Sequence, residues 1–453
     1  MHALMPEIDW EARGNEAVEL LRSLLRFDTT NPPGDELECA RFLADYLREG
    51  GLEPEVLVSG GKRGFVITRV RGNGRKPPIL LNAHLDVVPA EPERWSQPPF
   101  EARLHEGYIY GRGAVDMKNM AAMSAVVMRL LVETGAELDR DVIFAGVPDE
   151  EAGCHEGSYW LVDEHPDKVR SEYALGEIGA FSMYMNGRTI YPIQVAEKGR
   201  CWVRAHVEGQ PGHGSIPRDD NPVKRLADFV TKLAPTRMPV HVADTLRRAI
   251  GEMAATQPLP ARAVLPLVLS ERFSDLITQK VIPDESVGRV FRALVRNTAT
   301  PTVLRAGSKT NVIPGAAAVE IDGRIAVGST EQEFLEELRA LAGPGVQLDV
   351  ISSAPPYETS PDTPMFENLA RVIMDHDPGA HVVPYVIPGF TDAQAWGKLG
   401  IKAYGFSPVK FDPVHDVKFA ELYHGDDERI PVDGFKFGLR MLADAVLRFC
   451  APR

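Results

Sequence analysis

Cysteine, long apolar runs, phosphate-binding loops and excess positive charge are all scarce in this sequence, and each shortage excludes a class. The four cysteines, Cys39, Cys154, Cys201 and Cys450, are scattered over 453 residues. They form no CxxC pair, so neither a thiolate metal knuckle nor a disulfide framework is expected. No run of about 18 uncharged apolar residues occurs, which argues against a membrane-spanning helix. The opening segment, MHALMPEIDWEARGNEA, lacks a basic region followed by an apolar one. No secretory leader is therefore expected, and a cytoplasmic protein fits. Formal net charge is −14, which argues against nucleic acid or an anionic membrane as a partner. The stretch GRGAVDMK fits neither GxGxxG nor GxxxxGK[ST], so a nucleotide-dependent enzyme is disfavoured.

What remains is an ordinary globular composition in a chain too long for one compact core; about 150 residues per domain gives two or three. Through residue 195, apolar strand-like runs (GFVITRV, PPILLNA, DVIFAGV, YALGE) alternate with helical periodicity at 15–30, 36–49 and after Asp116. This alternation predicts α/β architecture with a mainly parallel sheet. From 196 to 331 the texture changes to half-buried strands (CWVRAHVEG, AAAVEIDGRIAV) with helices between them, an inserted α+β unit. After 331 the α/β style returns. The expected organisation is a discontinuous domain, 1–195 and 332–453, around an insertion at 196–331. Within the insertion, ARAVLPLVLSERFSDLI reads as an apolar helix.

Five segments carry chemistry. In LLNAHLDVVP, His84 and Asp86 lie two apart where an apolar strand stops, so an extended backbone points them the same way. In open α/β sheets such strand ends gather ligands. In YGRGAVDMKNM, Asp116 precedes a helix, which an N-cap would also explain. In PDEEAG, Glu150 and Glu151 stand side by side after VIFAGV. Glu177 follows another apolar strand in YALGEIG. His424 precedes the acidic run of LYHGDDERIP, with His415 in DPVHD as a competing histidine. Imidazole and carboxylate donors without cysteine suit Zn, Mn, Fe, Ni or Co. Six such residues are enough for two divalent ions, with one glutamate of the pair left free to move protons.

In this order, NAHLDVVP, GRGAVDMK, PDEEAG, YALGEIG, GQPGHGS, KTNVIPGAAAVEIDGR, GFTDA and HGDDERI resemble the M20 family of metallopeptidases and aminoacylases, over nearly the whole chain. The WSQPPFEARLHEGYIYGRGA stretch is nearest the aminoacylase-1 and carboxypeptidase S-like branch. The resemblance implies a zinc-peptidase-like catalytic domain with an inserted lid and dimerisation domain. It implies metal ligands at His84, Asp116, Glu151, Glu177 and His424. Asp116 would bridge the ions, with His84 and Glu177 on one and Glu151 and His424 on the other. It implies Glu150 as general base, Asp86 as the carboxylate supporting His84, and a cis Asp116–Met117 peptide bond. His213 would polarise the scissile carbonyl from a partner subunit, and Asn311 and Arg324 would hold a substrate carboxylate.

Two departures stand out. Phe390, in PGFTDA, occupies a position usually held by a small residue, and the 241–300 stretch is longer than a minimal lid.

The expected activity is hydrolysis of a peptide or N-acyl amide bond beside a free carboxylate, with two divalent metal ions, Zn foremost and Co or Mn as alternatives. The substrate would be a small N-acylated amino acid or short peptide, and the assembly a homodimer through the lid. A dipeptidase or carboxypeptidase uses the same centre. A binding protein on the same fold should have lost a ligand or the base, and none is missing here.

Overall fold

The computed structural model describes residues 2–282, 285–411, 413 and 419–452. His415 lies outside these residues. The chain divides into two compact units. The first comprises Met1–Val195, Thr359–Tyr385 and Thr391–Arg453, and the second Ala196–Glu358 with Val386–Phe390.

Short apolar runs build the centre of the first unit. Ile79–His84 and Val142–Val147 are buried at every position, as strands covered on both faces must be. They pair in parallel, with His84 opposite Val147. Tyr173–Gly176 pairs in parallel with Ile79–His84 on its other side, and Lys402–Gly405 in parallel with Tyr173–Gly176. Three neighbouring strands thus end at one edge, and the chain leaves them at His84, Val147 and Gly176. Gly64–Val70 and Glu55–Val58 continue the sheet antiparallel.

Helices Trp10–Leu25, Lys118–Glu133 and Val432–Cys450 pack together on this sheet. Lys118–Glu133 lies between strand Ile79–His84 and the other two helices, so it is buried on nearly all faces. Asp9 starts the first helix by accepting the N–H groups of Glu11 and Ala12. Its far end is closed by the buried Lys118, whose Nζ donates to the carbonyls of Leu24 and Phe27 at 3.2 and 2.8 Å.

The second unit is an antiparallel sheet ordered Thr298–Ala306, Ala316–Ile325, Gly199–Glu208, Gln347–Ala354. Burial alternates along Gly199–Glu208 and Ala316–Ile325, the period of a sheet with one covered face. Cys201, Val203, Ala205, Val319 and Ile321 form that face, with Leu226 and Phe229 of helix Pro222–Leu233 and Phe334 and Leu338 of helix Glu331–Ala342.

The boundary expected at 331/332 therefore falls inside this unit. Glu331–Ala342 covers the sheet, and Gln347–Ala354 is its edge strand, paired with Gly199–Glu208. The helix expected across ARAVLPLVLSERFSDLI is also broken, into Ala261–Val264, Leu265–Leu269 and Ser274–Leu276. Pro266 supplies no N–H to continue a helix, and Ser270 is extended.

Candidate metal centre

The shared strand edge brings five acidic and basic segments of the first unit together. His84 closes its strand, fully buried. Glu150 and Glu151 follow Val147 after a tight turn through Asp149, at φ +68°. Glu177 follows Gly176. Asp116 comes from the loop before helix Lys118–Glu133, whose cap position is Met117 and not Asp116. The Asp116–Met117 peptide bond is cis. His424, at φ +58°, arrives from the chain's C-terminal part.

His84 Nε2 lies 2.9 Å from Asp116 Oδ1, 3.5 Å from Glu177 Oε2 and 4.0 Å from Glu150 Oε2. His424 Nε2 lies 3.1 Å from both Asp116 Oδ2 and Glu151 Oε2. Asp116 therefore turns one oxygen to each histidine. Among the described residues, three sets have ligand-type atoms within 4.8 Å of one another: His84, Asp116 and Glu177; Asp116, Glu151 and His424; and His84, Glu150 and Glu151. Glu151 Oε1 is buried without a hydrogen-bond partner, an orphan that a cation would satisfy. The donors are all oxygen and imidazole nitrogen, and two sets meet at Asp116. The residues fit a pair of divalent ions.

Packing so many charges together shifts their protonation. Burial would lower the His84 pKa, but the Glu177 and Asp116 carboxylates outweigh it and hold the ring well above its usual range. At His424 burial is again overridden, by Asp116 and Glu151, and the pKa rises to about 10. Burial, with the Asp116 charge adding to it, pushes Glu151 up to about 7. Glu177 also rises to about 7, chiefly through burial. Glu150 is pushed well above the carboxylate range by burial and by Glu177. Asp116 alone is lowered, because its two histidine partners overcome the burial penalty.

Around these groups lies a layer of hydrogen bonds. His84 Nδ1 is 3.0 Å from the Asp86 carbonyl oxygen and 3.6 Å from its carboxylate. That carboxylate mainly serves the glutamate turn: it accepts the N–H groups of Glu150 and Glu151 at 3.1 and 3.0 Å. The buried Glu428 holds the Asp116 loop. It accepts the N–H groups of Gly113, Val115 and Asp116 at 3.0, 2.7 and 3.2 Å and pairs with Arg112 at 2.9 Å. The Tyr423 hydroxyl donates to Glu177. Tyr423 and Glu428 carry no signal of these roles in the sequence. Glu428 sits in an acidic run that reads as a solvated face, and only the neighbouring Ile430, also buried, signals otherwise.

The remaining expected residues lie in the second unit. Strand Gly212–His213 pairs with Val312–Ile313, and Gly214 N–H donates to the Asn311 carbonyl at 2.8 Å, so His213 and Asn311 are neighbours. Both are exposed. Arg324 lies on a different strand, opposite Arg200. Asp322 accepts from its Nε and Nη2 at 2.8 and 3.2 Å, while its Nη1 is buried without a hydrogen-bond partner. The Phe390 ring carries both guanidinium groups, with Arg200 at 5.0 Å and Arg324 at 5.2 Å from its centroid.

Residues 80–448 match the family model described as peptidase family M20/M25/M40. The chain is 28% identical over 437 residues to the N-fatty-acyl-amino acid synthase/hydrolase PM20D1 of Xenopus tropicalis, covering 93% of this chain and 83% of the relative. It is 29% identical over 427 residues to aminoacylase-1 of Homo sapiens, covering 91% and 90%. An M20 family metallo-carboxypeptidase from Sulfolobus solfataricus has the same fold, with a TM-score of 0.73 at 18% identity over 95% of this chain and 98% of that one.

Proposed function

Because the chain belongs to peptidase family M20/M25/M40, hydrolases of peptide and linear amide C–N bonds, we propose that it hydrolyses N-acyl amino acids at a centre of two divalent ions, zinc foremost. The observation that carries this reading is the pair of ligand sets joined at Asp116, with Glu150 beside them. His84, Asp116 and Glu177 would hold one ion, and Asp116, Glu151 and His424 the other. When bound, the ions supply Lewis acidity and make water a nucleophile near neutral pH.

Glu150 takes the proton from the attacking water and passes it to the leaving amine. Burial and the Glu177 charge raise its pKa, the direction that suits a base that must later act as an acid. Asp86 orients His84 and the glutamate turn. His213 donates to the developing oxyanion from the second subunit of a homodimer formed through the second unit. Asn311 and Arg324 hold the substrate carboxylate, and the planar fork of Arg324 suits that group. The preference for an N-acyl substrate is supported by the named activities of the two relatives. A cytoplasmic location goes with this reading.

The test is metal analysis and hydrolysis on one preparation. About two metal ions per chain are expected, with activity on N-acetyl amino acids that chelation removes and Zn, Co or Mn restores. Faster cleavage of the matching dipeptides would make the enzyme a dipeptidase. A reconstituted protein inert on both would leave a binding role on the same fold.

A further inference from the structure

We propose that Asn31 and Arg63 are positioning residues for Glu150, acting through Asp86 and Asp149 to fix the turn that carries both glutamates. The proposal rests on the reading of Glu150 as the proton-transferring group.

The turn is closed on itself by Gly153 N–H to the Glu150 carbonyl at 2.9 Å, Cys154 N–H to the Asp149 carbonyl at 2.7 Å and Glu156 N–H to Asp149 Oδ2 at 2.8 Å, and what places it against the strand exit bearing His84 is the Asp86 carboxylate. Asp149 holds a left-handed backbone, and Glu150 and Glu151 point their N–H groups at the Asp86 carboxylate. Moving that carboxylate would therefore shift both glutamate N–H groups together. Asn31 sets its place: Nδ2 donates to Asp86 Oδ2 at 2.8 Å and to Asp149 Oδ1 at 3.2 Å. The Asn31 carbonyl Oδ1 accepts from Arg63 Nη2 at 2.9 Å. A side-chain amide accepts from the guanidinium while offering two N–H donors to the two carboxylates, where a hydroxyl has only one. An aspartate at 31 would instead put a third carboxylate against Asp86 and Asp149.

Arg63 supplies the charge that lets these acids share a dry site. Its guanidinium reaches Asp149 Oδ1 at 3.0 Å, Glu36 Oε1 at 2.7 Å and Glu156 Oε2 at 3.3 Å. Asp86, Asp149, Glu36, Asn31 and Arg63 are all buried. Several buried carboxylates with no cation among them would carry a large desolvation cost. A lysine keeps the charge but not the fork that serves these partners together. The chain makes room for the guanidinium at Gly34, at φ +78°, where a Cβ would lie 1.6 Å from Arg63 Nη1. The 29–31 segment is also tied to the strand exit bearing His84 and Asp86. Thr29 Oγ1 donates to the Leu85 carbonyl at 2.7 Å, and Asn31 N–H to the Val87 carbonyl at 2.9 Å. Neither Asn31 nor Arg63 belongs to any of the ligand sets, so both act through other residues.

The experiment uses the full chain loaded with zinc, an N-acetyl amino acid as substrate, and the variants Asn31→Ala, Arg63→Lys and Glu150→Gln, alone and combined. Metal content, thermal melting, kcat and KM are measured for each. Asn31→Ala and Arg63→Lys are expected to lower kcat on the order of 10- to 100-fold, with KM and metal content near wild type. In the Glu150→Gln background the same changes should alter the residual rate by less than about 2-fold, because groups acting as a unit are not additive. If Asn31→Ala does not fold, Arg63→Lys carries the comparison. A folded, metal-loaded variant with unchanged kcat overturns the proposal. So does an equal loss in the Glu150→Gln background, or a loss explained by missing metal. Full turnover in Glu150→Gln overturns the reading of the site and the proposal with it. Full turnover in Asn31→Ala beside an inactive Glu150→Gln overturns the positioning role alone.

Discussion

Adjacent in sequence, Glu150 and Glu151 differ in what faces them: Glu151 meets His424, while Glu150 feels the Glu177 charge and has His84 at 4.0 Å. Glu150→Gln should therefore lower kcat by about 10²- to 10⁴-fold with metal content unchanged by mass spectrometry; near-wild-type turnover would remove the base assignment. The protonation pattern predicts how metal uptake responds to pH. His424 titrates near 10, and Glu151 and Glu177 near 7, so at neutral pH the empty site still holds protons. Ions bind the deprotonated ligands and must expel those protons. Affinity should accordingly rise with pH from about 6 to 8. Titration calorimetry in two buffers of different ionisation enthalpy should show proton release, and a Kd independent of pH would contradict the assignment.

At the scale of elements, the Asp116 loop hangs on Glu428. Glu428→Ala strands the buried Arg112 and the N–H groups of Gly113, Val115 and Asp116. Losing one partner of a buried ion pair costs about 3–5 kcal/mol, so urea unfolding should shift by that order. A shift within about 0.5 kcal/mol, typical of a surface site, would refute the role. The helix Glu331–Ala342 offers a milder case. Thr330 and Glu333 cap it reciprocally, and Thr330→Ala should cost about 1 kcal/mol.

These elements also show what the sequence discloses. The strands ending at His84, Val147 and Gly176 are plain apolar runs, and the chemistry stands just past each end, so the ligand set is legible. Asn31 is hidden in NPPGDE, which reads only as a helix breaker, and Arg63 reads as an ordinary strand-flanking cation. Their importance comes from contacts between segments 32 to 118 residues apart, the longest joining Asn31 and Asp149, which no local pattern encodes. The boundary at 331 failed for the same reason. QLDVISSA has no mark naming its partner strand, and only its pairing with Gly199–Glu208 assigns it to the second unit.

For the molecule as a whole, every residue proposed as a metal ligand lies in the first unit, and Asn311 and Arg324, proposed to hold the substrate carboxylate, lie in the second. Chelation should lower the stability of the first unit selectively, because an ion present at about 100 times its Kd contributes about 2.7 kcal/mol. Hydrogen exchange with and without chelator should show loss of protection around Ile79–His84 and Lys118–Glu133 and little change in the antiparallel sheet. The cross-subunit role proposed for His213 predicts complementation. Mixing Glu150→Gln with His213→Ala under subunit exchange should restore turnover that neither variant has alone, and no recovery would confine His213 to its own subunit.

The order of ligands along the chain has a consequence for biosynthesis. Five ligand-type residues, His84 to Glu177, precede the inserted unit, and His424 follows it. At about 5–20 residues per second, the ribosome spends roughly 12 to 50 seconds between Glu177 and His424. Throughout that interval the nascent chain carries a carboxylate-rich half-site without its last imidazole, its Glu428 clamp or strand Lys402–Gly405. Stable metal capture is thus deferred until His424 and Glu428 have been made, which spares the growing chain an ion trapped in an unfinished cradle.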